Sequence, residues 1–166
     1  TQFEIAYGDV LGSGSTYYNP AVEGKSPSLS VYGQYRSLIL EDKTKSFTFG
    51  VGNNVYTTPN FVALSIDRSR YKEALFPGSL NLKLTGPSGF TDIHLTDNSK
   101  DILVNSFVGS SKVYQLVSGS NGTAGSLANS GYVAGSGSYG LVFPELGTIL
   151  LNPGAISQSI HAEAVR

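Results

Sequence analysis

Arg68 and Arg70 sit in the densest charge cluster of the chain, formed with Asp67, Lys72 and Glu73. Guanidinium groups make forked hydrogen bonds to carboxylates and main-chain carbonyls, so the chemistry this cluster suits is recognition of a protein partner. On a short helix the same charges also make a solvated face. The other candidates are weaker. The two histidines, His94 and His161, fall on an expected strand and an expected terminal helix, whereas a zinc or iron site needs three or more ligands. There is no cysteine, which removes both thiolate metal sites and disulfides. Gly12-Ser13-Gly14-Ser15-Thr16 has the composition of a phosphate loop without its mechanics, because the lysine that neutralises phosphate must directly follow the last glycine and the first here is Lys25. Serine is abundant, but no Gly-x-Ser-x-Gly elbow occurs. Asn121-Gly122-Thr123 satisfies the N-glycosylation sequon, which matters only in a eukaryotic secreted protein. No catalytic, cofactor-binding or metal-ligating residue is assigned, and the chain is expected not to be an enzyme.

Length and composition bound the rest. The 166 residues suit one domain over 1–166, large enough to bury a core. Charged residues make up only 14% of the chain, against roughly 25% in ordinary soluble proteins, and the net charge is −1. A surface of Gly, Ser, Thr and Asn with so little charge has weak colloidal repulsion, which favours a subunit partly covered by partners. Lys and Arg are scattered along the chain, so nucleic-acid binding is not expected. No apolar run reaches membrane-spanning length and the N-terminus lacks signal-peptide character, so no membrane partner is expected. The absence of methionine, even at position 1, reads as part of a longer chain.

The elements that must hold these residues follow from periodicity. Phe3, Ile5 and Tyr7 alternate as a first strand, and Ser26-Pro27-Ser28 opens a helix on which Leu29, Tyr32, Tyr35, Arg36 and Ile39 share a face, with Gly33 as its weak point. The tyrosines of that helix are expected to pack on a sheet while their hydroxyls reach water or a partner. Phe47 and Phe49 mark another strand, Gly52-Asn53-Asn54 a turn, and Val62, Leu64 and Ile66 the buried face of a strand over 61–66. Asp67 then caps a short helix carrying Tyr71 and Leu75 on one side, ended by Pro77-Gly78. Leu80, Leu82 and Leu84 alternate before the turn cluster at 86–89, and 90–96 returns as a hairpin. A strand over 113–117 precedes the segment 118–138, which is nearly all small residues with Leu127, Tyr132 and Val133 as anchors. Such composition gains little by burial and predicts a long flexible surface loop, available for contact with a neighbouring subunit. Residues 139–151 read as two strands about a bulge or turn, and 155–166 as a helix.

Four stretches then carry a resemblance: 26–40 (SPSLSVYGQYRSLIL), 61–86 (FVALSIDRSRYKEALFPGSLNLKLTG), 93–101 (IHLTDNSKD) and 135–156 (GSGSYGLVFPELGTILLNPGAI). Together they resemble virion structural proteins, of the tail, baseplate or neck region, from T4-like myophages that infect cyanobacteria. The most specific parts are the helix with Tyr32, Tyr35 and Arg36, the Asp67-Arg68-Ser69-Arg70 turn with Leu75, Pro77 and Gly78, and the YGLVFPELG strand. The resemblance implies a virion location, other virion proteins as partners in a multi-copy or homo-oligomeric assembly, and no cofactor.

The expected fold is therefore α+β and β-rich, a mostly antiparallel sandwich- or barrel-like sheet with two or three short helices. The expected function is a structural assembly subunit whose partner interface includes Tyr32, Tyr35, Arg36, Arg68, Arg70, Tyr71 and Tyr132. A receptor- or glycan-binding module of a phage tail, stacking sugars on Tyr17, Tyr18 and Tyr132, is the alternative. A virion-associated hydrolase built on His94 or His161 beside a carboxylate stands behind both.

Overall fold

The computed structural model describes residues 2–12, 27–51, 55–71, 74–86, 92–101, 106–125, 131–133 and 135–161. Among these residues eleven strands and two helices follow one another as β1 (Phe3–Asp9), α1 (Ser28–Tyr35), β2 (Thr48–Phe49), β3 (Tyr56–Thr57), β4 (Asn60–Ile66), β5 (Asn81–Leu84), β6 (Ile93–Asp97), β7 (Ser106–Val108), β8 (Ser111–Ser120), β9 (Thr123–Ala124), β10 (Gly140–Phe143), β11 (Thr148–Leu151) and α2 (Pro153–His161). A π-helical turn, Arg36–Leu40, extends α1, and Glu41 ends it in the left-handed conformation with φ 54°. The main sheet is antiparallel in the order β1-β4-β11-β10-β8-β6-β5, with β7 and β9 also paired to β8. It curls into a half-barrel, as the β-rich antiparallel reading expected.

Register explains why the sheet has two dry faces. Ala6, Ala63, Leu150, Leu141 and Gln115 stand opposite one another in a row across five strands. Beside that row, Phe61 lies under α1 and packs with Tyr32, Tyr35 and Phe47 at centroid separations of 5.2 to 5.4 Å. The other row, Ile5, Leu64, Ile149, Val142 and Tyr114, lines the inside of the curl. Ala155 and Ile156 of α2 and Leu82 and Leu84 of β5 pack against that inner face. Neighbouring residues of a strand point to opposite faces, so each central strand feeds both clusters.

Several expectations change here. In β4 the deepest residues are Phe61 and Ala63, both fully buried, while Val62, Leu64 and Ile66 are half-buried on the inner face. Period two is present, but both faces are used. The short helix after Asp67 is a single 3-10 turn, Arg68–Arg70, and Tyr71 is already extended at φ −143°, so Tyr71 and Leu75 do not share a helix face. The segment 118–138 is not a long loop in its described parts. β8 runs on to Ser120, turns at Asn121-Gly122 with φ of 51° and 81°, and returns as β9. That two-residue turn with both angles positive suits an Asn-Gly hairpin. Farther on, Val133 bridges Gly137 and Ser138 is fully buried. The expected turn at 52–54, Tyr17, Tyr18, Lys72, Glu73 and Leu127 lie outside the described residues, as does the side chain of His161.

Buried polar side chains stitch the loops to the sheet. Gln115 Oε1 accepts from the Gly50 amide (2.9 Å) and the Ser138 hydroxyl (2.7 Å). Asn152, fully buried, donates through Nδ2 to the carbonyls of Ser136 (2.7 Å) and Ser138 (3.0 Å) and accepts from the Gly154 amide at the start of α2. Each replaces a hydrogen bond that the interior would otherwise deny to loop backbone.

Two glycines give opposite expectations. At Gly33 an added methyl meets nothing within 4 Å, and an alanine in a helix loses less backbone freedom on folding. Gly33→Ala is expected to raise unfolding stability by about 0.5–1 kcal/mol. At Gly8 the methyl would sit 2.7 Å from Phe61 Cζ, and the ring is held by its aromatic neighbours. Gly8→Ala is expected to lower stability by about 1–3 kcal/mol. Urea denaturation of both variants beside the unmodified chain checks the two signs.

Candidate functional site

The feature of the fold that is built but not filled is the edge at β1 and the groove beneath it. Asp67 N donates to the Gln2 carbonyl (3.1 Å) and Val10 N to the Pro59 carbonyl (2.8 Å), so even-numbered residues turn their backbone groups toward β4. Alternation in an antiparallel ladder then turns those of Phe3, Ile5 and Tyr7 outward. Among the described residues no strand pairs with this edge. The side chains of the same three residues face the inside of the curl opposite Ile66, Leu64 and Val62. They remain 51%, 65% and 45% exposed, a large apolar surface for one strand.

Beneath them lies a groove of about 370 Å³ lined by Phe3, Leu64, Ile66 and Ile149 on one side and by Leu80 and Leu82 on the other. Gln2 and Arg70 complete its lining. Arg70 is placed there by the turn that Asp67 caps, with Asp67 Oδ1 accepting from the Ser69 amide (3.0 Å) and hydroxyl (2.9 Å). Arg68, on the same turn, sets its guanidinium 4.6 Å from the Tyr71 ring centre. Tyr71 in turn sits against Gly147 in the β10–β11 turn, where an added methyl would come within 2.6 Å of the ring. Arg68, Arg70 and Tyr71 are thus brought together at one end of the groove.

The other expected interface residues lie elsewhere. Tyr32 is a correction: it is fully buried between Phe47 and Phe61, its hydroxyl accepts from the Phe47 amide (3.4 Å), and it has no surface to offer. Its helical spacing identified a buried face, which periodicity alone does not separate from a contact face. Tyr35 is half-buried with its hydroxyl 3.0 Å from Ser65 Oγ, which makes it a link between α1 and β4. Arg36 lies over the Tyr32 ring at 5.4 Å. Tyr132 borders a separate pocket of about 400 Å³ with Asn98, Asp101 and Gln115. Burial pushes its hydroxyl above the ordinary phenol range, and a hydrogen bond with Asn98 works the other way.

His94 is exposed on β6 opposite Lys83 and borders a shallow pocket with Asp92 and Ser159. The Asp92 carboxylate pairs with Lys83 Nζ at 2.6 Å. Among the described residues no three His, Cys, Asp or Glu side chains gather to hold a metal, and no helix is long and apolar enough to cross a membrane. The sequence signal for the exposed row on β1 is the alternation of Phe3, Ile5 and Tyr7, which identifies a shared face without saying whether anything covers it. No family model matches the chain, and no curated protein or solved structure matches it.

The cap at Asp67 is testable through pH. Hydrogen bonds from the Ser69 amide, first, and then its hydroxyl favour the charged carboxylate and hold it below the ordinary 3.8. The stabilisation is therefore complete above pH 3.8 and is lost as pH falls through the lower folded-state value. Protection of the Ser69 amide from hydrogen exchange is expected to hold from neutral pH down to that point and then to decline. A titration of the Ser69 amide shift with its midpoint above the ordinary carboxylate value would show that the cap does not act this way.

Proposed function

We propose that this chain is a non-enzymatic structural subunit or domain of a phage virion, in the tail, baseplate or neck of a T4-like cyanobacterial myophage. The observation that carries the assembly half of this reading is the open β1 edge, whose outward backbone groups and exposed Phe3, Ile5 and Tyr7 offer both hydrogen bonds and apolar area to an added strand. Strand addition of this kind gives affinity through the main chain and specificity through alternate side chains. Arg70, exposed at one end of the groove with Arg68 on the same turn, adds forked donors for a partner's carboxylates or carbonyls. The low charge content fits a surface that is covered in use. The virion half rests on the sequence resemblance of the four stretches.

A second reading has an observation of its own. The pocket at Tyr132 places the polar side chains Asn98, Asp101 and Gln115, groups that could bond a small sugar, beside the apolar Val51 and Val113. Asn98 Oδ1 already accepts from the Gln115 backbone amide (2.9 Å), Gln115 Oε1 is taken by the Gly50 amide and the Ser138 hydroxyl, and Tyr132 is half-buried, which leaves less of it to stack. The assembly reading therefore stands first.

Mass spectrometry of gradient-purified phage particles, with antibody labelling of intact particles by electron microscopy, tests the proposal. Expected is a fixed multi-copy ratio to the major capsid protein and label confined to the tail, baseplate or neck. Recovery of the chain only in the particle-free fraction of the lysate would overturn it.

A further inference from the structure

We propose that the open edge of β1 is covered by β1 of a second copy of this chain, the two strands running antiparallel about a two-fold axis at Ile5. This rests on the assembly reading and names the partner of that site. The first support is parity. Outward-turned residues of one strand must meet outward-turned residues of the other, and the register that overlaps Phe3, Ile5 and Tyr7 fully sets Ile5 against the partner's Ile5 and Phe3 against the partner's Tyr7. Aromatic and aliphatic cross-strand pairs of this kind are favourable.

The second support is charge. On the opposite face that register sets Glu4 against the partner's Ala6, so no like charges face each other. The Gln2 end of β1 is tied to the Asp67 amide and lies beside exposed Arg70, whereas the far end carries Asp9. Antiparallel pairing brings the partner's Asp9 toward the Arg70 end, and the two-fold axis repeats the contact. A net charge of −1 per copy adds little repulsion.

The third support is the contrast with the other edge of the sheet. β5 carries exposed Lys83, ion-paired with Asp92, and its Asn81 is clamped on Asn121 by two hydrogen bonds of 2.9 Å. Lysine on an edge strand discourages pairing, and β1 has none. A closed two-fold pairing of β1 with β1 follows, rather than the open chain that β1-to-β5 contacts would build.

Because the chain has no cysteine, an introduced thiol reports only on proximity to its own counterpart. In the full chain, Ile5→Cys is expected to oxidise to a covalent dimer. Phe3→Cys and Tyr7→Cys are not, since like positions would lie roughly 14 Å apart along the strands. The double Phe3→Cys/Tyr7→Cys variant is expected to cross-link. Ile5→Lys, at a position exposed in the single copy, is expected to halve the mass seen by light scattering while leaving circular dichroism unchanged. Monomeric mass for the unmodified chain, or equal cross-linking at all three positions, would overturn the proposal. A monomer found in purified particles would sink the pairing alone and leave the virion reading standing, its strand supplied by another protein. An Ile5-linked dimer absent from particles would do the reverse.

Discussion

Burial of both faces of the central strands is the constraint on which the rest of the structure depends. Phe61 and Ala63 point one way into the cluster under α1, and Leu64 and Val62 point the other way into the curl. A sheet covered on only one side would leave one of these rows in water. Here α1, its π-helical extension and the segment 47–49 cover one face, while α2 and the rolled β5–β6 hairpin cover the other. Curling is what lets a single sheet of this size shield its own inner face. It also leaves a gap at β1, where Phe3 and Leu82 line opposite sides of a groove instead of meeting. The exposed Phe3, Ile5 and Tyr7 are continuous with the buried inner row and belong chemically to it.

The loops are held by a different device. Gln115 and Asn152 are amides placed in the interior, each satisfied by several partners from segments with few bulky side chains. Such a segment cannot be anchored by burial, so it is anchored by directional bonds to residues that burial has already fixed. The hairpin at Asn121-Gly122 is held in the same way, through Asn81 and through Thr96 Oγ1, which accepts from the Gly122 amide at 2.8 Å. Low charge and abundant Gly and Ser therefore do not make this a loosely built protein in its described parts.

Much of the fold was legible because the physics behind it is local. Alternation in 3–7, 61–66 and 80–84 and the Asp67 cap each depend on residues a few positions apart, and each is found in the structure, whereas Pro77-Gly78 has no helix to stop because the turn after Asp67 already ends at Arg70. What was not legible depends on distant partners. Composition alone assigned 118–138 to a loop because neither Gln115 nor Asn81 announces that its side chain will serve a segment elsewhere. Likewise the spacing of Tyr32 and Tyr35 marks a helix face, but only the arrival of Phe47 and Phe61 decides that the face is core. At the candidate site, charge density singles out Arg68 and Arg70, and the turn capped by Asp67 sets Arg70 at the groove and Arg68 over Tyr71. The groove beside them is made by residues from β1, β4, β5 and β11, a conjunction that no window of sequence contains.

The pairing of β4 with β11 has a consequence for how the protein is made. Leu64 stands opposite Ile149, so about half the chain separates the two halves of that ladder. Closing so long a loop is slow compared with forming a hairpin, and ribosomes release chain from the N-terminus first. Until β11 has emerged, β4 can pair only with β1, and the two-stranded ribbon would display Val62, Leu64 and Phe61 to every other nascent chain nearby. Productive folding of this protein is therefore a race decided at its last strand, and synthesis at high local abundance is where that race is most easily lost.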